Sequence, residues 1–265
     1  MGYCALLSYL PVGSAAVPVS ENSPVVLVTG AARRVGAQIA RALHARGARV
    51  AVHYRQSADA ARALVETLNA QRPASAAVFE ADLADTAGLP GLVERVVGHF
   101  GRLDGLVNNA SSFFPTPVGR IDEAAWDDLV GSNLKAPLFL MQAAAPALQA
   151  AGGAIVNIVD VHAERPLAGY PVYCAAKAGL LGLTRAMAIE LAPAVRVNGV
   201  APGAVLWPED GQFDPARRAD VVGHTLLKRE GSPADIAGAV CFLLFDGAYV
   251  TGQILAVDGG RSAHL

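Results

Sequence analysis

Short apolar runs alternate with longer amphipathic stretches along this chain from residue 24 onward. Runs such as Val25-Val26-Leu27-Val28 are continuous and rich in β-branched residues, as is typical of parallel strands buried on both faces. They predict strands near 25–29, 50–54, 76–80, 104–107, 154–159, 195–200 and 254–257. Helical periodicity between these runs predicts helices near 35–46, 58–70, 87–99, 122–150, 171–192 and 233–245.

This alternation predicts an α/β fold, namely a single-domain, Rossmann-type, doubly wound parallel sheet of seven strands with helices on both faces. The domain would cover residues 24–265, and its ligand site would lie beyond the carboxyl ends of the strands. Residues 204–232 are rich in Pro, Asp and Arg and only weakly periodic, so we predict a substrate loop there. Residues 1–23 lack the basic start of a signal peptide and are too short in apolar length for a membrane span, so we expect a flexible leader.

Composition narrows the classes of function. The 265 residues are 53% hydrophobic and 17% charged with a net charge of -2, which predicts a large core and argues against nucleic acid as a partner. No apolar run is long enough to predict a membrane partner. Cys4, Cys174 and Cys241 are too scattered for a disulfide framework, which favours a reducing, cytoplasmic location. The six histidines form no metal-binding spacing, so we expect no metal.

A glycine-containing turn, Thr29 to Gly36, directly follows the first strand and opens the first helix. Glycines there let the backbone turn tightly and approach a pyrophosphate lying on the helix N-terminus. The context of strand, turn and helix favours a dinucleotide site over an ordinary strand-to-helix turn.

The second strand ends in His53-Tyr54-Arg55-Gln56-Ser57, where an NAD site would place an acidic residue. Instead, Arg34, Arg55 and Ser57 could all address the 2′-phosphate of NADP, which favours NADPH/NADP+ as the cofactor. The alternative is that Arg55 is simply solvated.

Polar residues also follow the third and fourth strands. They are Asp82, which precedes Leu83, and the run Asn108-Asn109-Ala110. Either group could be an ordinary Asx turn at a strand end. Their repeated placement at the edge where ligands bind favours a binding role.

Together these residues resemble the short-chain dehydrogenase/reductase family over about residues 24–260. The resemblance rests on Thr29-Gly30 to Gly36, Asp82, Asn108-Asn109-Ala110, Asn133, Tyr173-x-x-x-Lys177 and Pro202-Gly203 at the family's spacings. It implies that the cofactor is bound by Gly30, Arg34, Val35, Gly36, His53, Tyr54, Arg55, Ser57, Asp82, Leu83, Asn109, Ala110, Ser111, Tyr173, Lys177, Pro202, Gly203 and Val205.

Four departures from the common family pattern resemble the pteridine reductases, including their bacterial members. Arg34 replaces the central glycine of the turn, and Asp160 replaces the family serine thirteen positions before Tyr173. The segments 109–117 and 198–209 also match that branch. Some members carry His-Arg-Ser after the second strand, so Arg55-Gln56-Ser57 moves the arginine by one place and leaves open which side chain holds the 2′-phosphate.

Reducing a C=N bond requires a hydride for carbon and a proton for nitrogen. Tyr173 could donate that proton, and Lys177, one helical turn on, would favour the phenolate. By the resemblance, Lys177 also holds the nicotinamide ribose and Asn133 anchors a water that replenishes protons. Asp160 would act with Tyr173, although a carboxyl at a strand end is often only a cap, and a Tyr and a Lys four residues apart are often an exposed pair.

The resemblance also implies how the substrate is held. Phe113 would sandwich a flat heterocycle against the nicotinamide, while Ser111 and Arg34 would make polar contacts. Leu206 and Trp207 lie in the substrate loop that would close over the site. Phe114 could equally be a core residue.

These observations predict an NADPH-dependent pteridine reductase that acts on a dihydropterin or dihydrofolate, with fully oxidised forms also conceivable. The alternatives are a carbonyl reductase or alcohol dehydrogenase of the same fold, which would normally keep serine at position 160, and a non-catalytic NADP-sensing protein, which would be expected to have lost the Tyr-Lys pair. Apolar stretches at 133–151 and 173–192, together with the resemblance, predict a homotetramer.

Overall fold

A single parallel sheet organises the chain. The computed structural model describes residues 22–208 and 213–263. The seven strands lie in the order β3-β2-β1-β4-β5-β6-β7, and every neighbouring pair is parallel. They are β1 (Val25–Val28), β2 (Arg49–Tyr54), β3 (Ala76–Glu80), β4 (Gly105–Asn108), β5 (Ala154–Ile158), β6 (Arg196–Pro202) and β7 (Ile254–Val257). The predicted fold is confirmed, and each strand ends within two residues of its predicted limits.

The helices cover both faces of this sheet. They are α1 (Arg34–Ala45), α2 (Ala58–Gln71), α3 (Leu89–Phe100), α4 (Glu123–Val130), α5 (Ala136–Ala151), α6 (Pro171–Glu190), α7 (Pro215–Gly223) and α8 (Pro233–Cys241). Alternate residues of β1 face opposite layers because side chains alternate along a strand. Val26 and Val28 pack with α1, α2 and α8, whereas Val25 and Leu27 pack with α3 and α5.

Helix α7 lies inside the segment that the sequence predicted as a loop. Its start carries ordinary signals, since the Asp214 side chain accepts from the backbone N–H of Arg217 and Pro215 is the first helical residue. Only Val221 of this helix is buried. An apolar stripe is therefore missing, which is why periodicity did not reveal α7.

The long helix predicted at 122–150 is divided by a π-helical turn at Gly131–Lys135, between α4 and α5. Such turns widen a helix by one residue and occur frequently at functional sites. Here the turn contains Asn133, one of the predicted catalytic residues.

The chain before β1 is described only from residue 22. Ser23 is buried, and its carbonyl oxygen accepts from Nε of Arg49 at 3.3 Å, so the packed domain already includes this residue. The rest of the predicted leader lies outside the described residues.

Helix α6 is the one described helix with the length and composition of a membrane span. Half of the tested window is buried within the fold, as expected for a core helix. Its buried side carries Tyr173 and Lys177.

Candidate active site

A cleft of about 960 Å³ opens at the carboxyl edge of the sheet, where the strand order reverses between β1 and β4. This is the edge at which doubly wound sheets bind ligands. All residues predicted to bind cofactor or substrate line it, from Gly30 in the turn to Trp207 in the substrate loop. Its size is at the upper end of ordinary ligand pockets, about 300–1,000 Å³, which suits a dinucleotide together with a small heterocycle.

The turn between β1 and α1 forms a cradle in which side chains do not fit at Gly30 and Gly36. Gly30 adopts a φ of 60°, which favours glycine. A Cβ at Gly36 would overlap the carbonyl oxygen of Gly30 and lie 2.6 Å from Nδ2 of Asn109. The Asn109 Nδ2 donates to the carbonyl of Thr29 at 2.8 Å, which ties the turn to the end of β4. This arrangement fits a pyrophosphate on the N-terminus of α1.

His53 supports the turn from within the protein. Its ring is buried, its Nδ1 accepts from the N–H of Gly30 at 3.1 Å, and its Nε2 lies 3.1 Å from the carbonyl of Ala81. These partners require a neutral ring with the proton on Nε2. Burial lowers the pKa of His53 to about 4, which keeps the ring neutral at ordinary pH.

Arg34 connects the turn to the substrate loop. Its Nη2 donates to the carbonyl oxygen of Trp207 at 3.0 Å and lies 3.5 Å from that of Leu206. The backbone of Arg34 has a φ of 54°, in the left-handed region that favours glycine. A side chain held in this conformation costs about 1 kcal/mol or more, which suggests that its contacts serve function.

Replacing Arg34 by glycine should therefore separate stability from binding. We expect Arg34→Gly to leave the melting temperature of the ligand-free protein unchanged or slightly higher, because the strained backbone relaxes. If Arg34 also contacts the phosphates of the cofactor, as the resemblance implies, binding of NADPH should weaken by about tenfold or more, because a charge-assisted contact is lost. Differential scanning fluorimetry and a fluorescence titration with NADPH measure the two effects. A variant that unfolds several degrees earlier and still binds NADPH normally would contradict this assignment.

The far end of the cleft is lined by the last residue of β2 and the three residues that follow it. Tyr54, Arg55, Gln56 and Ser57 all border it, and none of them is acidic. Nη1 of Arg55 lies 3.9 Å from a carboxyl oxygen of Asp82, and both side chains are about half exposed. Gln56 is an additional lining residue that the sequence did not single out.

The catalytic candidates converge where β5 ends and α6 begins. The Tyr173 hydroxyl donates to Oδ2 of Asp160 at 2.7 Å. The other carboxyl oxygen of Asp160 accepts from the backbone N–H of His162 at 2.8 Å, so Asp160 also caps the 3₁₀ turn Val161–Ala163. One oxygen of Asp160 therefore caps the turn, while the other is bonded to the candidate catalytic hydroxyl of Tyr173, so the capping interpretation does not rule out the catalytic one.

Lys177 lies one turn of α6 beyond Tyr173. Its Nζ donates to the carbonyl of Ile158 at 2.8 Å and lies 5.7 Å from the centre of the Tyr173 ring. Only 4% of Tyr173 and 2% of Lys177 are exposed, so the alternative of an exposed surface pair is wrong.

Burial dominates the protonation of this pair. Burial first, and then the Asp160 carboxylate, hold the pKa of Tyr173 well above its ordinary value. Burial lowers the pKa of Lys177 to about 8, an effect that Asp160 partly offsets. In the ligand-free protein the phenolic proton therefore stays on Tyr173, where it is available to a substrate.

Asn133 lies behind the wall of the cleft rather than on it. Its Nδ2 donates to the carbonyls of Ser112 and Leu129 at 2.9 and 3.0 Å, and its Oδ1 accepts from the Ser111 hydroxyl at 2.7 Å. Asn133 thus fixes the segment after β4 from below. Its predicted role in proton supply stays a prediction.

Aromatic rings line the substrate side of the cleft. The Phe113 ring stacks on Tyr170 at 4.7 Å and meets Tyr173 edge-on at 4.8 Å. Phe213 lies 6.5 Å from Phe113, and Trp207 lies 5.2 Å from Phe213.

Phe114 packs with Leu129 and Tyr170 in a small core cluster and does not line the cleft, as the core alternative expected. Among the lining residues that the sequence did not single out are Leu167, His162, Phe213, Val221 and Arg261. The N-cap Asp214 and Pro215 at the first helical position could have predicted the start of α7, and with it an ordered position for the adjacent Phe213.

Within residues 22–208 and 213–263, no group of three His, Cys, Asp or Glu side chains is arranged to hold a metal ion.

Comparison with known proteins agrees with this geometry. Residues 30–262 match the family model described as enoyl-(acyl carrier protein) reductase. The chain is 41% identical to pteridine reductase 1 from Leishmania tarentolae, over 92% of this chain and 98% of that protein. It is 38% identical to a 3-oxoacyl-(acyl-carrier-protein) reductase from Staphylococcus aureus, over 88% and 96% respectively. An uncharacterized oxidoreductase from Methylorubrum extorquens is also 38% identical, over 89% and 96%. The chain is an oxidoreductase that belongs to the short-chain dehydrogenase/reductase family.

Proposed function

We propose that this protein is an NADPH-dependent pteridine reductase, which reduces the C=N bond of a dihydropterin or dihydrofolate to the tetrahydro form. The observation that carries the proposal is the 2.7 Å hydrogen bond from Tyr173 to Asp160, with the Phe113 ring edge-on to Tyr173 at 4.8 Å. The 41% identity to a pteridine reductase supports it.

Reduction of a C=N bond explains why position 160 carries a carboxylate. A serine hydroxyl at this position would be sufficient for a carbonyl substrate. A hydroxyl can only hydrogen-bond, whereas a carboxyl can also take up and release a proton. Asp160 helps to keep the proton on Tyr173, and the Tyr173 hydroxyl can pass it to a ring nitrogen. After that transfer, Asp160 is at hydrogen-bond distance to pass to the phenolate a proton that it has first taken up from water.

The residues of the cleft fit a reduced nicotinamide cofactor, which supplies the hydride when bound. The cradle at Gly30 and Gly36 would hold its pyrophosphate, and Lys177 would hold its ribose near Tyr173. Phe113 would then stack on the heterocycle, and the Ser111 hydroxyl would offer a polar contact at its rim.

The cleft is better suited to NADPH than to NADH. Arg55, Gln56 and Ser57 line the end where the adenosine ribose would lie, and none of these three residues directly after β2 is a carboxylate that could accept its 2′-hydroxyl. A guanidinium pairs favourably with a phosphate.

A carbonyl reductase is the second candidate, because the chain is also 38% identical to a 3-oxoacyl reductase. One assay separates the two. NADPH oxidation is followed at fixed enzyme concentration with dihydrobiopterin, dihydrofolate and a panel of ketones and 3-oxoacyl thioesters. Turnover of the pteridines with little turnover of the carbonyl compounds supports the proposal, and the reverse pattern overturns it.

Arg55→Ala should lower the preference for NADPH over NADH. Loss of one partner of a charge pair costs about 2–5 kcal/mol when the pair is desolvated, and less here because Arg55 is half exposed. We expect about a tenfold fall in the ratio of kcat/KM for the two cofactors, with Arg62→Ala on α2 as a matched control. An unchanged ratio would remove Arg55 from the phosphate site.

Phe113→Ala should raise the pteridine KM and leave NADPH binding nearly intact. A stacked ring contributes about 0.5–1.5 kcal/mol beyond the area it buries, so the rise should be about three- to tenfold. Phe114→Ala serves as the comparison, because both rings pack against the same core cluster but only Phe113 lines the cleft, so only Phe113→Ala should change the pteridine KM. Normal pteridine kinetics in a folded Phe113→Ala enzyme would place Phe113 outside the substrate site.

The homotetramer and the cytoplasmic location remain predictions. Phe139 on α5 and Ile189 on α6 are exposed apolar side chains, 37% and 78% respectively, that such an assembly could cover.

A further inference from the structure

His53, near the end of β2, holds the turn between β1 and α1 at two consecutive peptide groups. Its ring Nδ1 accepts from the N–H of Gly30 at 3.1 Å, and its backbone carbonyl accepts from the N–H of Ala31 at 2.9 Å. An N–H that is directed into the protein needs an acceptor there. The ring therefore fixes the direction of the Gly30 peptide, and the turn takes its position from β2.

The second ring nitrogen of His53 reaches the end of β3. Nε2 donates to the carbonyl of Ala81 at 3.1 Å, while the N–H of Ala81 donates to the carbonyl of Tyr54 at 3.2 Å. Ala81 directly precedes Asp82, which lines the cleft. One imidazole thus connects the cradle to the wall of the cleft that follows β3.

These bonds decide how His53 can influence a bound cofactor. The ring borders the cleft, yet both of its nitrogens are engaged within the protein and only 2% of the residue is exposed. A neutral imidazole has one donor and one acceptor, so the ring has no further polar atom to offer a ligand. Any effect of His53 on the cofactor must pass through the groups that it holds.

The backbone held by His53 lies where a pyrophosphate would bind. Gly30 has a φ of 60°, and its peptide leads into the start of α1. In the described part of the chain, α1 begins without a capping side chain from its N-cap residue Arg33. The first N–H groups of α1 are therefore donors for an anion, and their direction depends on the turn before them.

We propose that His53 is a positioning residue for the cofactor, which acts through its hydrogen bond to Gly30 and not by contact with the ligand. The bond presets the turn, so that the turn meets the pyrophosphate without first reorganising. This role replaces the direct contact that the family resemblance implied for His53. The inference rests on the dinucleotide cofactor of the proposed function and is independent of the substrate that accepts the hydride.

Two conservative variants separate the two hydrogen bonds of the ring. Asparagine places its Oδ1 near the position of the histidine Nδ1, so His53→Asn keeps the acceptor for Gly30 and loses the donor to Ala81. Glutamine places its Nε2 near the position of the histidine Nε2, so His53→Gln keeps the donor to Ala81 and loses the acceptor for Gly30.

Binding of NADPH to the two variants is measured by fluorescence titration. We expect His53→Gln to raise the Kd about tenfold, because the Gly30 N–H is left without its acceptor. His53→Asn should restore binding to within about threefold of the wild type, because the bond to Gly30 is kept.

A ligand without a pyrophosphate provides a readout that a merely structural role would not separate. Adenosine 2′-monophosphate keeps the adenine, the ribose and the 2′-phosphate of NADPH. Its affinity, measured by displacement of NADPH, should be the same in His53→Gln and in the wild type.

His44→Asn is the matched control. His44 is also buried, with its Nε2 2.7 Å from the Ser75 hydroxyl, but it lies outside the described lining of the cleft. This variant should lower the melting temperature and leave NADPH binding unchanged.

Three results overturn the inference alone. They are a wild-type Kd for NADPH in folded His53→Gln, an equal loss of NADPH binding in His53→Asn and His53→Gln, and a loss of adenosine 2′-monophosphate binding as large as that of NADPH. If His53→Gln does not fold, a tenfold loss of NADPH binding in folded His53→Asn also overturns it, because that variant keeps the bond to Gly30. Failure of the wild type to bind NADPH would instead overturn the proposed cofactor, and this inference with it.

Discussion

Lys177→Met should reduce pteridine turnover by about 10³-fold or more without lowering the melting temperature at neutral pH. The loss of activity is expected because the Lys177 ammonium is the cation nearest to the phenol among the interactions described, with Nζ 5.7 Å from the centre of the Tyr173 ring. Preorganised charge of this kind stabilises the charge that develops in a transition state. Loss of a buried charged residue usually destabilises a protein, but here we expect the free energy of unfolding at neutral pH to stay nearly unchanged.

The physical reason is the cost of burying the ammonium. Burial lowers the pKa of Lys177 from an ordinary 10.5 to about 8, and each pKa unit corresponds to about 1.4 kcal/mol. The charged lysine is thus disfavoured in the folded protein by about 3 kcal/mol at neutral pH. Methionine has a similar length and no charge, but it leaves the Ile158 carbonyl without its donor, which costs about 1–3 kcal/mol. The two effects nearly offset each other.

The dependence of stability on pH has a definite sign. Because the folded-state pKa of Lys177 is depressed, its contribution favours folding above the unfolded-state value of 10.5 and is lost as pH falls through about 8. The free energy of unfolding of the wild type should therefore include a rise between pH 8 and 10 that Lys177→Met lacks. Tyr173 acts in the opposite direction above pH 10, since its folded-state pKa is raised.

Denaturant titrations at pH 7, 8, 9 and 10 and steady-state kinetics test both halves of this expectation. Lys135→Met is the control, because Lys135 is exposed in the π-helical turn and its loss should change neither activity nor the pH dependence. A Lys177→Met protein that melts many degrees earlier at pH 7 would show that the lysine is chiefly structural.

Much of this site could be predicted from the sequence because it is built from local signals. Buried parallel strands are continuous β-branched runs, and the residues that end them must meet at one edge of the sheet. Gly30, Asp82 and Asn109 were located in this way. Asp160, Tyr173 and Lys177 were singled out by the resemblance to the family, and all six residues line the cleft.

The remainder depends on tertiary contacts that leave no periodic trace. Phe213 acquires its place from its approach to Phe113, and Arg261 from the position of the chain after β7. The sequence also could not reveal that Asn133 lies behind the cleft wall, because two of its partners, the Ser112 carbonyl and the Ser111 hydroxyl, are more than twenty residues away in the sequence. Likewise, the sequence could not show that one oxygen of Asp160 accepts from the His162 N–H and the other from the Tyr173 hydroxyl.

Asp160→Ser should restore the residue common in the family and yet lose pteridine reduction by about 10²–10⁴-fold, the usual contribution of a positioned acid or base. The serine hydroxyl can still accept a hydrogen bond, but it is neutral and cannot return a proton to Tyr173. Tyr173→Phe should be comparably damaging. The double variant should be little worse than either single one, because residues that act as a unit are not additive.

Asp160→Asn separates proton transfer from simple orientation of the substrate. A proton donor must be protonated, so kcat falls as pH rises through the pKa of the donor. Burial and the Asp160 carboxylate together hold the pKa of Tyr173 well above its ordinary value, and removal of the carboxylate should bring this alkaline limb to lower pH while kcat itself drops. If Asp160 only orients the substrate, the limb moves in the same way because the charge is gone, but kcat at neutral pH keeps its wild-type value and only KM changes. Wild-type kcat for Asp160→Asn at neutral pH would therefore exclude Asp160 from proton transfer, and Phe113 and Arg34 would then have to account for the choice of a pteridine.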